Sequence, residues 1–156
     1  MRALLQRADG AAVHVEGAYV GGFTGLGLVV LVGITHEDTV AVANKMAEKV
    51  RGLRIFSADD APACVPPTGA REVSIADADL PVLAVSQFTL YGATRKGRRP
   101  TWEAAAPGHL AEPIFEAFVS ALRAVGTSVS TGIFGADMLV SLTNVGPMTL
   151  QLELNA

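Results

Sequence analysis

The 156-residue sequence predicts a single α+β domain built on a mostly antiparallel, curved, barrel-like sheet with two main helices. Three observations carry that prediction. Short runs rich in β-branched residues recur from one end of the chain to the other, two segments show helical apolar periodicity, and no internal repeat or linker divides the sequence. One domain spanning residues 1–156 is expected at about 100–200 residues per domain.

Met1 to Ala8 and Ala11 to Val15 read as short strands of a hairpin around Asp9-Gly10, a turn dipeptide. Leu26 to Ile34 is a near-continuous apolar run, the pattern of a strand buried on both faces. Thr39 to Leu53 is the first predicted helix, with Asp38 as its cap and Val40, Ala43, Met46, Ala47 and Val50 as the apolar stripe. Leu53 to Phe56 enters a strand, and the Ala-, Pro- and Asp-rich segment Ser57 to Ala70 reads as an exposed loop. Val82 to Gln87 is a strand, and Tyr91 to Pro107 a long connection. The second helix covers Leu110 to Val125, with Pro113 placed in its first turn, Ile114, Phe115, Phe118 and Leu122 on one face and Gly126 as its stop. Met138 to Thr143 and the alternating Met148 to Leu154 complete the strands.

Composition narrows the function. Half of the residues are hydrophobic and 17% are charged, and mean hydropathy is +0.38, high enough to suggest that some apolar surface closes an oligomer. The longest apolar run is too short for a bilayer span and the first residues lack a signal-peptide core, so a cytoplasmic location and no membrane partner are expected. Cys64 is the one cysteine, and His14, His36 and His109 are scattered, so no metal or other cofactor is expected. A net charge of −3 confines any RNA contact to a local patch.

Three segments carry candidate chemistry. SQFTLYG, Ser86 to Gly92, ends a buried strand, where backbone N–H groups become free to meet a substrate beside the hydroxyl and amide groups of Ser86, Gln87, Thr89 and Tyr91. On its own it reads more simply as a paired strand with polar side chains in water. RKGRRP holds Arg95, Lys96, Arg98 and Arg99 on a loop shaped by Gly97 and Pro100; it suits a phosphate backbone or a solvated surface. NVGPMT, Asn144 to Thr149, breaks a strand at Gly146-Pro147, because proline lacks the N–H that a ladder needs. That pair reads as a plain turn or as a cis peptide.

Together, and in order, these segments resemble the D-aminoacyl-tRNA deacylase family. The resemblance extends through MRALLQRA, GLGLVVLVGITHEDT, LRIF, SQFTLYG, RKGRRPTWEAAAP, TGIFGADM and VSLTNVGPMT, and SQFTLYG and NVGPMT are similar to the family's two signature motifs. Glu72, Ala93 and Val145 depart from the residues usual in the family (Asn, Asp and Asp).

The resemblance implies a homodimer that hydrolyses the ester of D-aminoacyl-tRNA, and of glycyl-tRNA mischarged on tRNA-Ala. Gly146 and Pro147 of one subunit would enter the pocket of Ser86, Gln87, Phe88 and Thr89 in the other as a cis peptide, barring L side chains by backbone contact. Arg7 would brace the inserted loop, Met138 would shape the adenosine pocket, and Asn144 would support the loop. Catalysis would use N–H groups at Phe88 and Thr89 as an oxyanion hole and the 2′-hydroxyl of the terminal adenosine, with no Thr89 nucleophile. Arg95, Lys96, Arg98 and Arg99 would contact tRNA. Two rivals differ in class: a non-catalytic RNA-binding module, which needs a stacking aromatic near the basic loop and finds only Tyr91 and Trp102, and an editing hydrolase of other chirality using a trans Gly–Pro pair.

Overall fold

The computed structural model describes residues 1–61 and 70–155. Cys64 and most of the Ser57–Ala70 loop lie outside the described residues. The elements, in chain order, are strands β1 (Arg2–Val15) and β2 (Ala18–Gly33), helix α1 (Val40–Gly52), strands β3 (Phe56–Ser57) and β4 (Glu72–Val73), the short helix α2 (Ile75–Ala78), strand β5 (Val82–Ser86), a 3-10 turn at Phe88–Tyr91, helix α3 (Gly108–Ala124), and strands β6 (Val129–Thr131) and β7 (Leu139–Glu153). Five strands form one sheet in the order β6-β5-β2-β1-β7. Its long ladders, β1 with β2 and β1 with β7, are antiparallel, and the shorter pairings of β5 with β2 and β6 are parallel. The result is the α+β fold that the sequence predicts.

Asp9-Gly10 is not the hairpin turn. β1 runs straight through it, and the chain reverses at Glu16 and Gly17, where both residues have positive φ, the geometry of a tight two-residue turn. Gly10 instead sits at a register shift, where Asp9 pairs with Leu26 and Ala11 with Phe23, so β2 carries one extra residue. Positive φ at Gly10 and at Gly25 lets both strands bend there, which curves the sheet.

The bend explains the unbroken apolar run in β2. Leu28, Val30 and Val32 face α1 and α3, against Met46, Phe118 and Leu122, while Val29 packs on the opposite face with Ala8, Val13, Leu83 and Val85. Each large side chain buried in this way contributes about 1.5–3 kcal/mol.

Helix α1 is capped by Thr39, whose hydroxyl accepts the Val42 N–H, rather than by Asp38. Asp38 is engaged elsewhere: its buried carboxylate takes the Met1 amino group at 2.6 Å and the Thr35 N–H at 2.8 Å. Val40 is exposed and Val42 takes its place in the stripe, because Val42, Met46 and Val50 share one face at four-residue spacing and Val40, two residues before Val42, lies off it. Residues 53–55 are not strand; the short β3 pairs with β4 in a separate ribbon. Helix α3 starts after Pro107, which puts Pro113 in the second turn rather than the first. Helix α2 is held by a reciprocal cap between Ser74 and Asp77, and those hydrogen bonds hold the Asp77 carboxyl below its ordinary value. Among the described residues, no helix is long and apolar enough to cross a membrane.

The two strands expected at 138–143 and 148–154 belong to the single strand β7, which begins one residue later, at Leu139. Between Gln6↔Thr149 and Ala8↔Asn144, β7 advances five residues while β1 advances two. Residues 145–148 thus face the single residue Arg7, a surplus of three, and leave the ladder between the paired Asn144 and Thr149.

Candidate active site

Strand β5 carries Ser86 to the edge of a cavity of about 600 Å³. Its last ladder bond is donated by the Gln87 N–H to the Val32 carbonyl at 2.7 Å. The chain then tightens into the 3-10 turn, whose first internal bond is from the Leu90 N–H to the Gln87 carbonyl at 3.3 Å. The N–H groups of Phe88 and Thr89 precede that bond, so the turn itself does not consume them. The Gln87 amide donates to the Thr89 hydroxyl, which fixes the Thr89 side chain on the exposed side of the turn.

Arg2 secures the turn from below. Its guanidinium donates to the Leu90 carbonyl at 2.9 Å and lies 4.5 Å from the centre of the Tyr91 ring, while Nε bonds Glu153. Tyr91 is buried, and burial, with Asp38 nearby, pushes its phenol up to about 12, so it offers no base at neutral pH.

The cavity wall is mostly apolar, with Val85, Phe134, Met138 and Trp102 around the polar groups of Ser86, Gln87 and Asp137. Asp137 is the one carboxylate in that lining. Trp102 meets Phe88 edge to face at 5.4 Å. Trp102 and Asp137 were not singled out as site residues. The sequence signal for Asp137 is its place in TGIFGADM, whose residues 134–138 line the same cavity as the end of β5.

The loop at residues 145–148 is anchored by Arg7. This side chain is 8% exposed, and its three nitrogens donate to the carbonyls of Val145 at 3.2 Å, Gly146 at 2.6 Å and Ile55 at 2.9 Å. Gln6 adds bonds to Asn144, Thr149 and the Met148 carbonyl. The Gly146–Pro147 peptide is cis, and both residues are exposed. Val145 meets Arg7 through its carbonyl, so its departure from the usual residue leaves that contact in place.

Paired backbone bonds between Ala93 and Thr101 close the base of the basic loop, and Arg95, Lys96, Arg98 and Arg99 are all exposed on it. Within one chain, then, Ser86, Gln87, Phe88 and Met138 gather on the cavity. Thr89, which follows Phe88 in the turn, does not line it, and neither do Gly146 and Pro147. The three histidines stay apart, with His14 against Tyr19 and His36 bonded to the Glu103 carbonyl.

This arrangement occurs in a fold with known relatives. The family model described as D-Tyr-tRNA(Tyr) deacylase matches residues 4–153. The D-aminoacyl-tRNA deacylase of Cutibacterium acnes is 54% identical over 153 residues, covering 98% of this chain and 97% of its own length. That of Acidothermus cellulolyticus is 54% identical over 155 residues, covering 99% and 100%. A solved structure titled c-Myc DNA Unwinding Element Binding Protein superposes with a TM-score of 0.86 at 34% identity, over the whole of both chains. A probable eukaryotic D-amino acid tRNA deacylase shares the fold at a TM-score of 0.81 and 16% identity, over 98% of each chain. With the family model and half-identical relatives both matching nearly end to end, the chain belongs to the D-aminoacyl-tRNA deacylase family.

Proposed function

We propose that this protein hydrolyses the ester bond of D-aminoacyl-tRNA in the cytoplasm, releasing a free D-amino acid and tRNA. The observation that carries the reading is the end of β5: a strand that stops at a cavity of about 600 Å³ lined by Ser86, Gln87 and Phe88, with the backbone N–H groups of Phe88 and the adjoining Thr89 outside the turn's own bonding. The terminal adenosine occupies the cavity beside Met138. Water adds to the ester carbonyl, the N–H groups of Phe88 and Thr89 stabilise the oxyanion, and the ribose oxygen leaves with a proton. The neighbouring 2′-hydroxyl assists. One oxyanion donor contributes about 3–4 kcal/mol to lowering such a barrier.

Chirality is set by a second subunit. Gly146 and Pro147 of the partner present backbone carbonyls to the substrate's Cα, so an L side chain collides and a D side chain points to solvent. Glycine, with no side chain, is also accepted, which extends the activity to glycyl-tRNA mischarged on tRNA-Ala. The homodimer is supported by β7, an edge strand of the sheet with Leu139 and Leu142 exposed. The test is stereochemical: D-aminoacyl-tRNA is hydrolysed and L-aminoacyl-tRNA is spared. Equal rates on both would remove the chiral assignment of Gly146 and Pro147.

Thr89→Ala is expected to keep deacylation within about tenfold of wild type, because the backbone N–H survives while Gln87, the side chain's hydrogen-bond partner, is no base. A loss of several orders of magnitude with the fold intact would make Thr89 the nucleophile. Neutralising Arg98 and Arg99 together is expected to weaken tRNA binding and flatten its salt dependence by about 1.4–1.8 in log–log slope, each phosphate contact accounting for about 0.7–0.9. An unchanged slope would make the loop a solvated surface.

A further inference from the structure

Two aromatic residues flank the basic loop, and the structure separates them. Tyr91 is buried, and one face of its ring is covered by Arg2. Trp102, the chain's one tryptophan, is 42% exposed and lines the cavity. It follows Thr101, where the basic loop closes on Ala93, so the residue that leads out of that loop is also part of the cavity wall.

Its orientation is fixed. The edge of the Phe88 ring system holds it on one side. Beneath it runs the backbone of Gly92, where a Cβ would come within 2.6 Å of Trp102 Cζ3, so only glycine allows this approach. A rigid, half-exposed indole beside a cationic loop has the form of a base-stacking platform on a single-stranded nucleic-acid track.

We propose that Trp102 stacks the base that precedes the terminal adenosine, making it a binding residue for the single-stranded 3′ end of tRNA. The inference rests on the reading that the cavity takes the aminoacylated terminal adenosine. The strand then leaves the cavity with its next base on the indole and its phosphates directed to Arg95, Lys96, Arg98 and Arg99. Base–aromatic stacking of about 1–3 kcal/mol corresponds to about a 5- to 150-fold effect on binding, and a partly exposed indole belongs toward the lower end.

The experiment uses the intact protein and two probes, adenosine 5′-monophosphate and the dinucleotide cytidylyl-(3′→5′)-adenosine. Stacking quenches indole emission, and with a single tryptophan the signal has one source. The dinucleotide is expected to quench strongly and the mononucleotide weakly. In deacylation of D-aminoacyl-tRNA, Trp102→Leu keeps apolar packing on Phe88 and Gly92 but loses the aromatic face; its KM is expected to rise about tenfold with kcat changed less than twofold. Trp102→Phe restores most of the KM. Equal quenching by the two probes, or an unchanged KM in Trp102→Leu, would overturn the proposal while leaving deacylation intact. Wild-type protein that does not hydrolyse D-aminoacyl-tRNA would overturn the underlying reading and the proposal with it.

Discussion

Two inactive variants are expected to restore activity to one another when their subunits are exchanged. The first carries Gly146→Val and Pro147→Val; the second carries Thr89→Tyr. Within one chain, a Cβ on Gly146 meets nothing within 4 Å, and both loop residues are exposed, so the fold tolerates the first variant. Thr89 is also exposed and adjoins Phe88 of the cavity lining, so a tyrosine there is expected to crowd the pocket without disturbing the core. Each homodimer should retain less than about 1% of activity, the scale expected when reacting groups lose their positioning. In a mixed dimer, the loop-altered chain keeps a sound pocket and the pocket-blocked chain keeps a sound loop. One site is whole and the other is doubly damaged. Equal amounts reassort to about half mixed dimers, so about a quarter of wild-type sites should return, as two-fold symmetry requires. Mixed dimers verified by mass and still inactive would place the site within one chain and remove the role proposed for Gly146 and Pro147.

Replacing Arg7 with Met should lower both stability and activity, by different routes. The guanidinium joins three carbonyls, at Ile55, Val145 and Gly146, that have no common partner in the strand ladder. Losing it strands the largely buried Ile55 carbonyl at a cost of about 1–3 kcal/mol, while water reaches the two loop carbonyls. Thermal unfolding should therefore fall by about 3–10 °C for a domain of this size. Activity should fall further, by about 100-fold in kcat/KM, because a loop displaced by about 1 Å no longer presents its carbonyls where they are needed. Arg7→Lys should recover part of the stability and little of the activity, since the three donors of an ammonium sit on one nitrogen and do not span the three carbonyls that the guanidinium meets from separate nitrogens. Activity in Arg7→Met within threefold of wild type would mean that the loop holds its shape without the brace.

Period and burial made much of the fold legible in the sequence. The run from Leu26 to Ile34 reads as a two-sided strand because both faces of β2 are covered, and the stripes of α1 and α3 repeat at helical spacing. The errors cluster where local chemistry has two uses. Asp-Gly favours a turn and equally a bulge, and only the pairing of Asp9 with Leu26 and of Ala11 with Phe23 decides between them. Asp38 is a sound cap by type, but the nearby Met1 amino group claims its carboxylate. β6 and α2 are too short to show a period at all.

The candidate site was legible as motifs but not as geometry. SQFTLYG and RKGRRP each sit where their chemistry suggests, at a strand end and on an exposed loop. Trp102 mattered in the sequence only as one of two aromatics near the cations. What sets it apart from Tyr91 includes the cover that Arg2, 89 residues away, gives the Tyr91 ring, and no local pattern encodes that contact.

The pairing of β1 with β7 also bears on when this surface can come into being. Arg2 lies opposite Glu153, and Arg7 reaches Gly146 across 139 residues of sequence. Closing so long a loop costs entropy before the contacts that repay it exist, which slows assembly relative to a fold of neighbouring contacts. The β1–β2 hairpin can form early because its turn is tight and its partners are close in sequence. The loop at residues 145–148 cannot take its braced shape until the far end of the chain has docked. The braced loop proposed to select chirality is thus expected to be among the last features the molecule acquires as it folds, and among the first to go when β7 frays.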